Sequence, residues 1–301
     1  MTDIAIMIEG QDGIHWDRWK SVVRTVEELG FHGLFRSDHF TNPEGPPKDS
    51  LELWISLTWL ADNTDSLEFG PLVTPTSFRD PVFTARMGKD VDALSDGRLT
   101  LGVGAGWQER EHTAFGYDLL PIPERFDRFA ESLEVIRSLL REEEPITFDG
   151  EYYSLEEAIL LPEPLENRPP VLVGGNGEHR TLPLTAKYAD EWNGVFIPPE
   201  KYVELNRRLD NLLESNGRNP DTVDRSIMTR VLFGENEDHL AEILDGEDPA
   251  DLRKLGIIVG TPAEVNAAID EFHEAGADRI MLQYMEVDDL GRLESLADAI
   301  L

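Results

Sequence analysis

The sequence predicts a closed (β/α)8 barrel, a TIM barrel, and three observations carry that prediction. Eight apolar, strand-like segments recur along the 301 residues, each followed by a helical apolar period. No hairpin signal joins one of these strands to the next. Consecutive strands must therefore run parallel through helical crossovers, which leaves a doubly wound sheet or a barrel. No Pro/Gly/Ser linker or internal repeat divides the chain, and eight such units suffice to close the sheet. The expected organisation is one domain over 1–301, with an insertion at about 146–170.

Residues 4–8 read as a buried strand stopped by Gly10. Trp16, Trp19, Val22, Val23, Val26 and Leu29 then recur at helical spacing until Gly30. Residues 33–38 and 51–62 form the second strand and helix, and 67–74 and 81–94 the third. Asp80 stands where an N-cap belongs and Pro81 at the first helical position. Residues 99–104 make the fourth strand and 124–141 a strongly amphipathic helix. The stretch 146–170 breaks the beat: it is Pro-rich, and Asp149-Gly150 between aromatic residues is a hairpin signal. The alternation resumes with 171–173 and 180–189, then 192–196 and 200–215. Residues 226–233 are the seventh strand, 238–255 carry no clear period, and 263–275 close that unit. Residues 280–283 and 290–301 complete the barrel.

Sixty Asp and Glu against 27 Lys and Arg give a net charge of −33. That excludes nucleic-acid binding through a basic face, which needs cations in surplus, and docking on anionic lipid. With 40% hydrophobic residues the chain has material for a large core. It has no cysteine, so disulfides, thiol nucleophiles and Cys-based zinc sites are excluded. The N-terminus lacks the basic start of a signal peptide, and no apolar run reaches about 18 residues. A soluble, cytoplasmic protein with no membrane or nucleic-acid partner is expected. Only six of the basic residues are lysine. An acid-rich, lysine-poor surface resembles those of proteins working in molar internal salt, where a Debye length of about 3 Å screens self-repulsion.

In a (β/α)8 barrel the active site is built at the C-terminal ends of the strands. The second strand ends in Ser37-Asp38-His39-Phe40. There His39 can act as hydrogen-bond donor or acid/base, oriented by the adjacent Asp38, or can simply satisfy a neighbouring loop. The third ends in Pro71-Leu72-Val73-Thr74-Pro75, which implies a distorted backbone or a plain strand terminator. The fourth ends in Gly102-Val103-Gly104-Ala105-Gly106-Trp107. Alternate glycines would leave a side-chain-free lane for a flat ring. Glu109, Glu111 and His112 follow without the spacing of a helical metal site and read as a solvated helix start, so no metal is expected. The fifth ends in Gly174-Gly175-Asn176-Gly177 before a helix opening with Arg180 and Thr181. Converging amides and a helix N-terminus would cradle a phosphate there, or the loop is just a tight connection.

Together these segments resemble the luciferase-like monooxygenase superfamily, especially its F420-dependent oxidoreductase branch. The resemblance is carried by Ser37-Asp38-His39-Phe40, Val73-Thr74-Pro75 with Arg79-Asp80-Pro81, and Ser95-Asp96-Gly97-Arg98 leading into the strand-four glycines. Glu124-Arg125-Phe126, the 148–153 segment, Val173-Gly174-Gly175-Asn176-Gly177 and Tyr188-Ala189-Asp190-Glu191-Trp192-Asn193 continue it. It implies a homodimeric barrel holding coenzyme F420, or alternatively FMN, at the C-terminal mouth, and a small organic substrate. It implies a non-prolyl cis peptide within Pro71 to Thr74 backing the ring, His39 near its reactive face, and the loop Gly174 to Gly177 on its phosphate. Trp107 and Phe40 would wall the pocket, with Asn42, Phe78 and Gln283 among the residues facing substrate. Combined with the acidic surface, it points to a halophilic archaeon as source.

Departures matter too. F420-dependent glucose-6-phosphate dehydrogenases carry a Trp shortly after the His and a Glu directly after the strand-four glycines. Here those places hold Thr41-Asn42-Pro43 and Trp107, leaving Glu109 or Glu111 to replace the proton-relay carboxylate. Two other classes compete. An aldolase or hydrolase barrel would need a lysine or metal carboxylates at strand ends, and no lysine falls there. A barrel that binds cofactor without turnover fits the missing Glu.

Overall fold

The computed structural model describes residues 2–166 and 168–301. β1 (Asp3–Ile8) leads to α1 (Trp16–Glu28), and β2 (Gly33–Arg36) to α2 (Leu53–Asn63). The third barrel strand comes in two pieces, β3 (Glu68–Pro71) and β4 (Thr74–Pro75), before α3 (Pro81–Leu94). β5 (Leu101–Gly104) is followed by the short α4 (Glu109–Phe115) and the long α5 (Ile122–Arg141). An antiparallel hairpin, β6 (Ile146–Asp149) and β7 (Ser154–Ala158), precedes β8 (Val171–Gly174) and α6 (Thr181–Tyr188). Next come β9 (Glu191–Val195) with α7 (Pro199–Ser215), and β10 (Asp224–Phe233) with α8 (Glu237–Leu244) and α9 (Pro249–Lys254). β11 (Ile258–Gly260), α10 (Pro262–Glu274), β12 (Arg279–Gln283) and α11 (Leu290–Ile300) complete the chain.

The barrel strands lie in the order β3-β2-β1-β12-β10-β9-β8-β5-β4, every neighbouring pair parallel. Both ends of that path belong to one interrupted strand. Phe69 bridges to Leu99, and its carbonyl accepts the Thr100 N–H at 2.9 Å, so β3 also meets the approach to β5 and the ring closes. The peptide bond between the two pieces, Leu72–Val73, is cis. It falls inside the stretch from Pro71 to Thr74.

Closure explains why β1 reads as a continuous apolar run. Ile4, Ile6 and Ile8 face the helical shell, whereas Ala5 and Met7 face the barrel axis with Phe35, Leu172, Met228 and Met281. With both faces covered, no polar alternation survives. The axis is stoppered below by Arg279, whose guanidinium lies 5.4 Å from the Phe35 ring centroid and pairs with Glu68 at 2.6 Å and Glu191 at 3.2 Å. Burial pushes the Glu191 carboxyl above its ordinary value, while Arg279 pulls it back. Helix starts follow the sequence signals: Asp80 accepts the N–H groups of Val82 and Phe83 at 2.9 and 3.1 Å, with Pro81 in the first turn.

Residues 238–255, without a readable period, hold two short helices, and a strand outside the barrel follows them. β11 pairs only with β10, and Leu232, Leu240, Leu244 and Val259 make a small satellite core there. Elements of three to eight residues are too short for either period to show.

The glycine lane has a different cause from the one its spacing predicts. A Cβ on Gly102 would lie 2.1 Å from the Pro71 carbonyl oxygen, and one on Gly104 would lie 2.6 Å from a methyl of Val73. These two glycines make room for the neighbouring strand at its break, not for a ligand. Space freed at Gly104 is filled by Val73, which also sits 3.2 Å from the Cβ position of Gly174.

Candidate active site

At the C-terminal end of the barrel the strand ends surround a cavity of about 580 Å³. Its apolar wall comes from the barrel axis and the strand break: Met7, Leu72, Val73, Val195 and Met228. His39, Gly106, Gly174 and Gly175 also reach it, and the exposed Trp107 and Phe196 stand at its mouth.

The polar centre is a buried pair. His39 Nδ1 lies 2.8 Å from Glu111 Oε1, and Glu111 Oε2 accepts the Phe40 N–H at 2.9 Å. Glu111 is 1% exposed. A carboxylate can only accept, so Nδ1 carries the proton and Nε2 is the ring nitrogen left for a ligand. Gln108 approaches the same Nδ1 at 3.2 Å with its amide nitrogen, but that nitrogen has a true acceptor in the Thr41 carbonyl at 2.9 Å. Burial works against a charged His39. The Glu111 hydrogen bond and charge, then Glu9 and Asp38, outweigh it and raise the imidazole above its ordinary value.

These contacts correct several expectations. Asp38 does not orient His39: its carboxylate takes the Arg79 guanidinium at 2.8 and 2.9 Å and the Thr74 hydroxyl at 2.7 Å, tying β2 to the strand break. Glu111 and His112 are not a solvated helix start. Both are buried, His112 bridging the Gln108 carbonyl and the Ser77 hydroxyl at 2.7 Å each, and only Glu109 is exposed. Phe40 does not wall the cavity; it stacks on Phe115 at 4.4 Å and contacts Phe78 and Tyr117. Phe78 thus faces that cluster, whereas Asn42 and Gln283 do line the cavity.

The loop after β8 is fastened rather than open. The Gly175 N–H is committed to the Asn193 carbonyl at 2.9 Å, and the Gly175 carbonyl accepts Trp192 Nε1 at 2.9 Å. Asn176 clamps the end of β9, its amide nitrogen 2.6 Å from the Val195 carbonyl and its oxygen accepting the Val195 N–H at 2.9 Å. Thr181 is buried behind Gly175 and Gly177. Arg180 turns away, pairing with Asp127 over the Phe126 ring. Gly174 and Gly175 border the cavity; Gly104, Ala105, Asn176, Gly177, Arg180 and Thr181 do not line it.

Sequence reasoning missed Glu9. It follows β1 directly, one of the strand ends not inspected for polar residues, and it lines the cavity with both oxygens hydrogen-bonded.

The sequence profile of the luciferase-like monooxygenases matches residues 3–250. The chain belongs to that family. Among its luciferase-like relatives, an F420-dependent glucose-6-phosphate dehydrogenase of Kineococcus radiotolerans is 29% identical over 284 residues, covering 83% of this chain and 82% of the relative. Another protein of that name, from Microbacterium testaceum, is 31% identical over 223 residues, covering 72% of this chain and 64% of its own length. Among solved structures, an F420-dependent secondary alcohol dehydrogenase in complex with an F420-acetone adduct matches with a TM-score of 0.84. It is 20% identical, over 99% of this chain and 98% of that one, a likeness of fold. The luciferase-like barrel found here differs from the expected dehydrogenase pattern at Trp107, yet a carboxylate still reaches the histidine. It arrives from Glu111, on α4.

Proposed function

We propose that this luciferase-like chain is an oxidoreductase that moves a hydride between coenzyme F420 and a small organic substrate. The single observation carrying this is the His39–Glu111 pair facing a cavity walled by the Leu72–Val73 break. The cavity suits a flat heteroaromatic group in three respects. Its volume of about 580 Å³ falls in the range of ligand pockets, its wall is apolar, and the buried Asn193 Oδ1 on that wall has no partner among the described residues. Leu72 and Val73 would back the ring, and Gly106, Gly174 and Gly175 would lie along its edge. Asn176, which clamps the end of β9, and Thr181, behind Gly175 and Gly177, would hold the loop that borders its phosphate end. When bound, the deazaflavin supplies a two-electron hydride acceptor or donor. Asp38, Thr74 and Arg79 would hold the strand break in place, and Trp107 and Phe196 would keep water from the reacting centre. His39 Nε2 would take or give the substrate proton, with Glu111 fixing the tautomer.

Titration of purified protein with F420 and, separately, with FMN tests this reading. Saturable binding of F420, followed by its single violet absorption band, is the expected result. Saturation by FMN alone would transfer the site to a flavin monooxygenase, and saturation by neither would end the proposal.

We also propose that the chain works as a homodimer. Ile55 on α2 and Phe83 on α3, large apolar side chains on two helices that pack together, are 60% and 62% exposed and open to cover by a second copy. Light scattering should give twice the mass of 33.9 kDa; a monomer at micromolar concentration rejects the dimer.

A further inference from the structure

Among the described residues, neither lysine nor arginine contributes to the lining of the active-site cavity; the charged groups there besides His39 are the carboxylates of Glu9 and Glu111. Glu111 is used up by His39 and Phe40. Glu9 is not hydrogen-bonded to His39 and adds only a lesser raising effect on it, and a hydrogen-bond chain fixes how it presents itself. The Gly10 N–H donates to the Ser37 hydroxyl at 3.0 Å, and that hydroxyl donates to Gln11 Oε1 at 2.7 Å. The direction of that chain leaves the Gln11 amide nitrogen to donate to Glu9 Oε2 at 2.9 Å, while Gln283 Nε2 donates to Glu9 Oε1 at 2.6 Å. Both carboxyl oxygens are thus held by amide donors, with their remaining acceptor capacity turned to the cavity.

Arg36 lies behind Gly10, wholly buried and outside the lining, and spends its guanidinium on the Ser56 hydroxyl and the Leu51 carbonyl; the other cations lie further out. Arg18 and Lys48 line an outer hollow that shares Met285 with the cavity, each paired with an aspartate, Asp288 and Asp12. Arg230 and Arg292 lie around a small pocket on another side of Met285, beside Glu286, which Arg292 pairs at 2.8 Å. A ligand inside the cavity therefore meets the Glu9 carboxylate directly, with no lysine or arginine in the lining beside it and the His39 ring already paired with Glu111, in surroundings walled by Met7, Met228 and Met285. In such a place like charges interact several-fold more strongly than in water.

We propose that the cavity takes an uncharged hydroxyl- or carbonyl-bearing substrate with an apolar body, and that Glu9 is the residue that turns phosphorylated and carboxylated analogues away. The substrate oxygen would sit at His39 Nε2, and any second hydroxyl would donate to Glu9. This builds on the oxidoreductase reading, but the selectivity is a matter of binding and is measured without turnover. It also separates this chain from its relatives named for a sugar phosphate.

Two matched pairs test it: 2-hexanol against 5-hydroxyhexanoate, and glucose against glucose 6-phosphate. Dissociation constants would be measured by ligand-observed NMR at one fixed ionic strength, with F420-loaded protein and with protein alone. The uncharged member of at least one pair should bind about tenfold or more tightly than its anionic partner. Glu9→Gln should bring that ratio to within about threefold by admitting the anion, whereas Gln283→Glu should widen it. Equal or tighter binding of the anions, binding of neither member of either pair, or a ratio unmoved by both variants overturns the proposal. F420 occupancy is scored by absorbance in the same samples, so failure of the cofactor reading leaves the charge comparison legible.

Discussion

Glu111→Gln is expected to lower the rate of the proposed hydride transfer by about 100-fold or more, within the range by which positioned acid–base groups act. The reason is tautomeric. Glu111 accepts from His39 Nδ1, which leaves Nε2 as the base facing the cavity. A glutamine in its place can keep the Phe40 N–H on its oxygen only by offering its amide nitrogen to Nδ1. The ring proton then moves to Nε2, and the base becomes a donor. The pH profile changes as well. In the native protein the rate should rise with pH through the raised value of His39, as the ring loses its proton. Glu111 supplies the largest raising effects there, with Glu9 and Asp38 adding less, while burial lowers. Removing its charge leaves burial dominant, so the midpoint should move to lower pH. NMR titration of the His39 ring checks this without a substrate, and an unmoved midpoint would refute it. Stability gives a second sign. His39 titrates higher in the folded state than the ordinary 6.5. Its pairing with Glu111 therefore stabilises fully below about 6.5 and fades as pH rises through the folded value. The stability gap between native protein and variant should be wider at pH 6 than at pH 9.

The barrel was legible because a sheet buried on both faces writes unbroken apolar strands, and amphipathic helices write a 3.6 period between them. Gly30 after the first helix and Asp80-Pro81 before the third mark boundaries by local chemistry alone. The site was legible only in outline. His39 and the strand-three break stand at strand ends, where barrel geometry directs attention. Glu111 was misread because α4 has seven residues, and its charges at 109, 110 and 111 define no apolar face. Which of them turns inward is decided by the Phe40 amide and His39, brought close only by folding. The glycines at 102 and 104 were visible but not their cause, since the Pro71 carbonyl and Val73 that demand them lie across a strand pair. Glu9 could have been found by treating the end of β1 like the ends of the second to fifth strands.

Raising KCl from 0.1 to 2 M is expected to raise the melting temperature by about 10 °C or more, equivalent to roughly 3–5 kcal/mol for a domain of this size. The fold has too few cations to neutralise its own surface, and it shares those it has. Arg79 serves both Asp38 and Glu52, Lys201 both Glu178 and Glu204, and Arg292 both Glu286 and Asp289. Lys89 is withdrawn to 3% exposure beneath the Pro162 carbonyl, adding little to the outer surface. Sixty acidic against 27 basic residues leave the remaining carboxylates facing one another across solvent. At 0.1 M salt those charges act over about 10 Å, and at 1 M over about 3 Å. Salt also weakens the ion pairs, but exposed pairs contribute only about 0–1 kcal/mol each, so relief of repulsion wins. A general salting-out effect would act on any protein, and a variant separates the two. Glu142, Glu143 and Glu144 form an exposed acidic run after α5. Changing all three to Gln should raise the melting temperature at 0.1 M KCl and shrink the gain on adding salt. A melting temperature that stays flat or falls with KCl would refute self-repulsion as the destabilising force, and an unchanged salt response in the variant would assign the gain to salting-out.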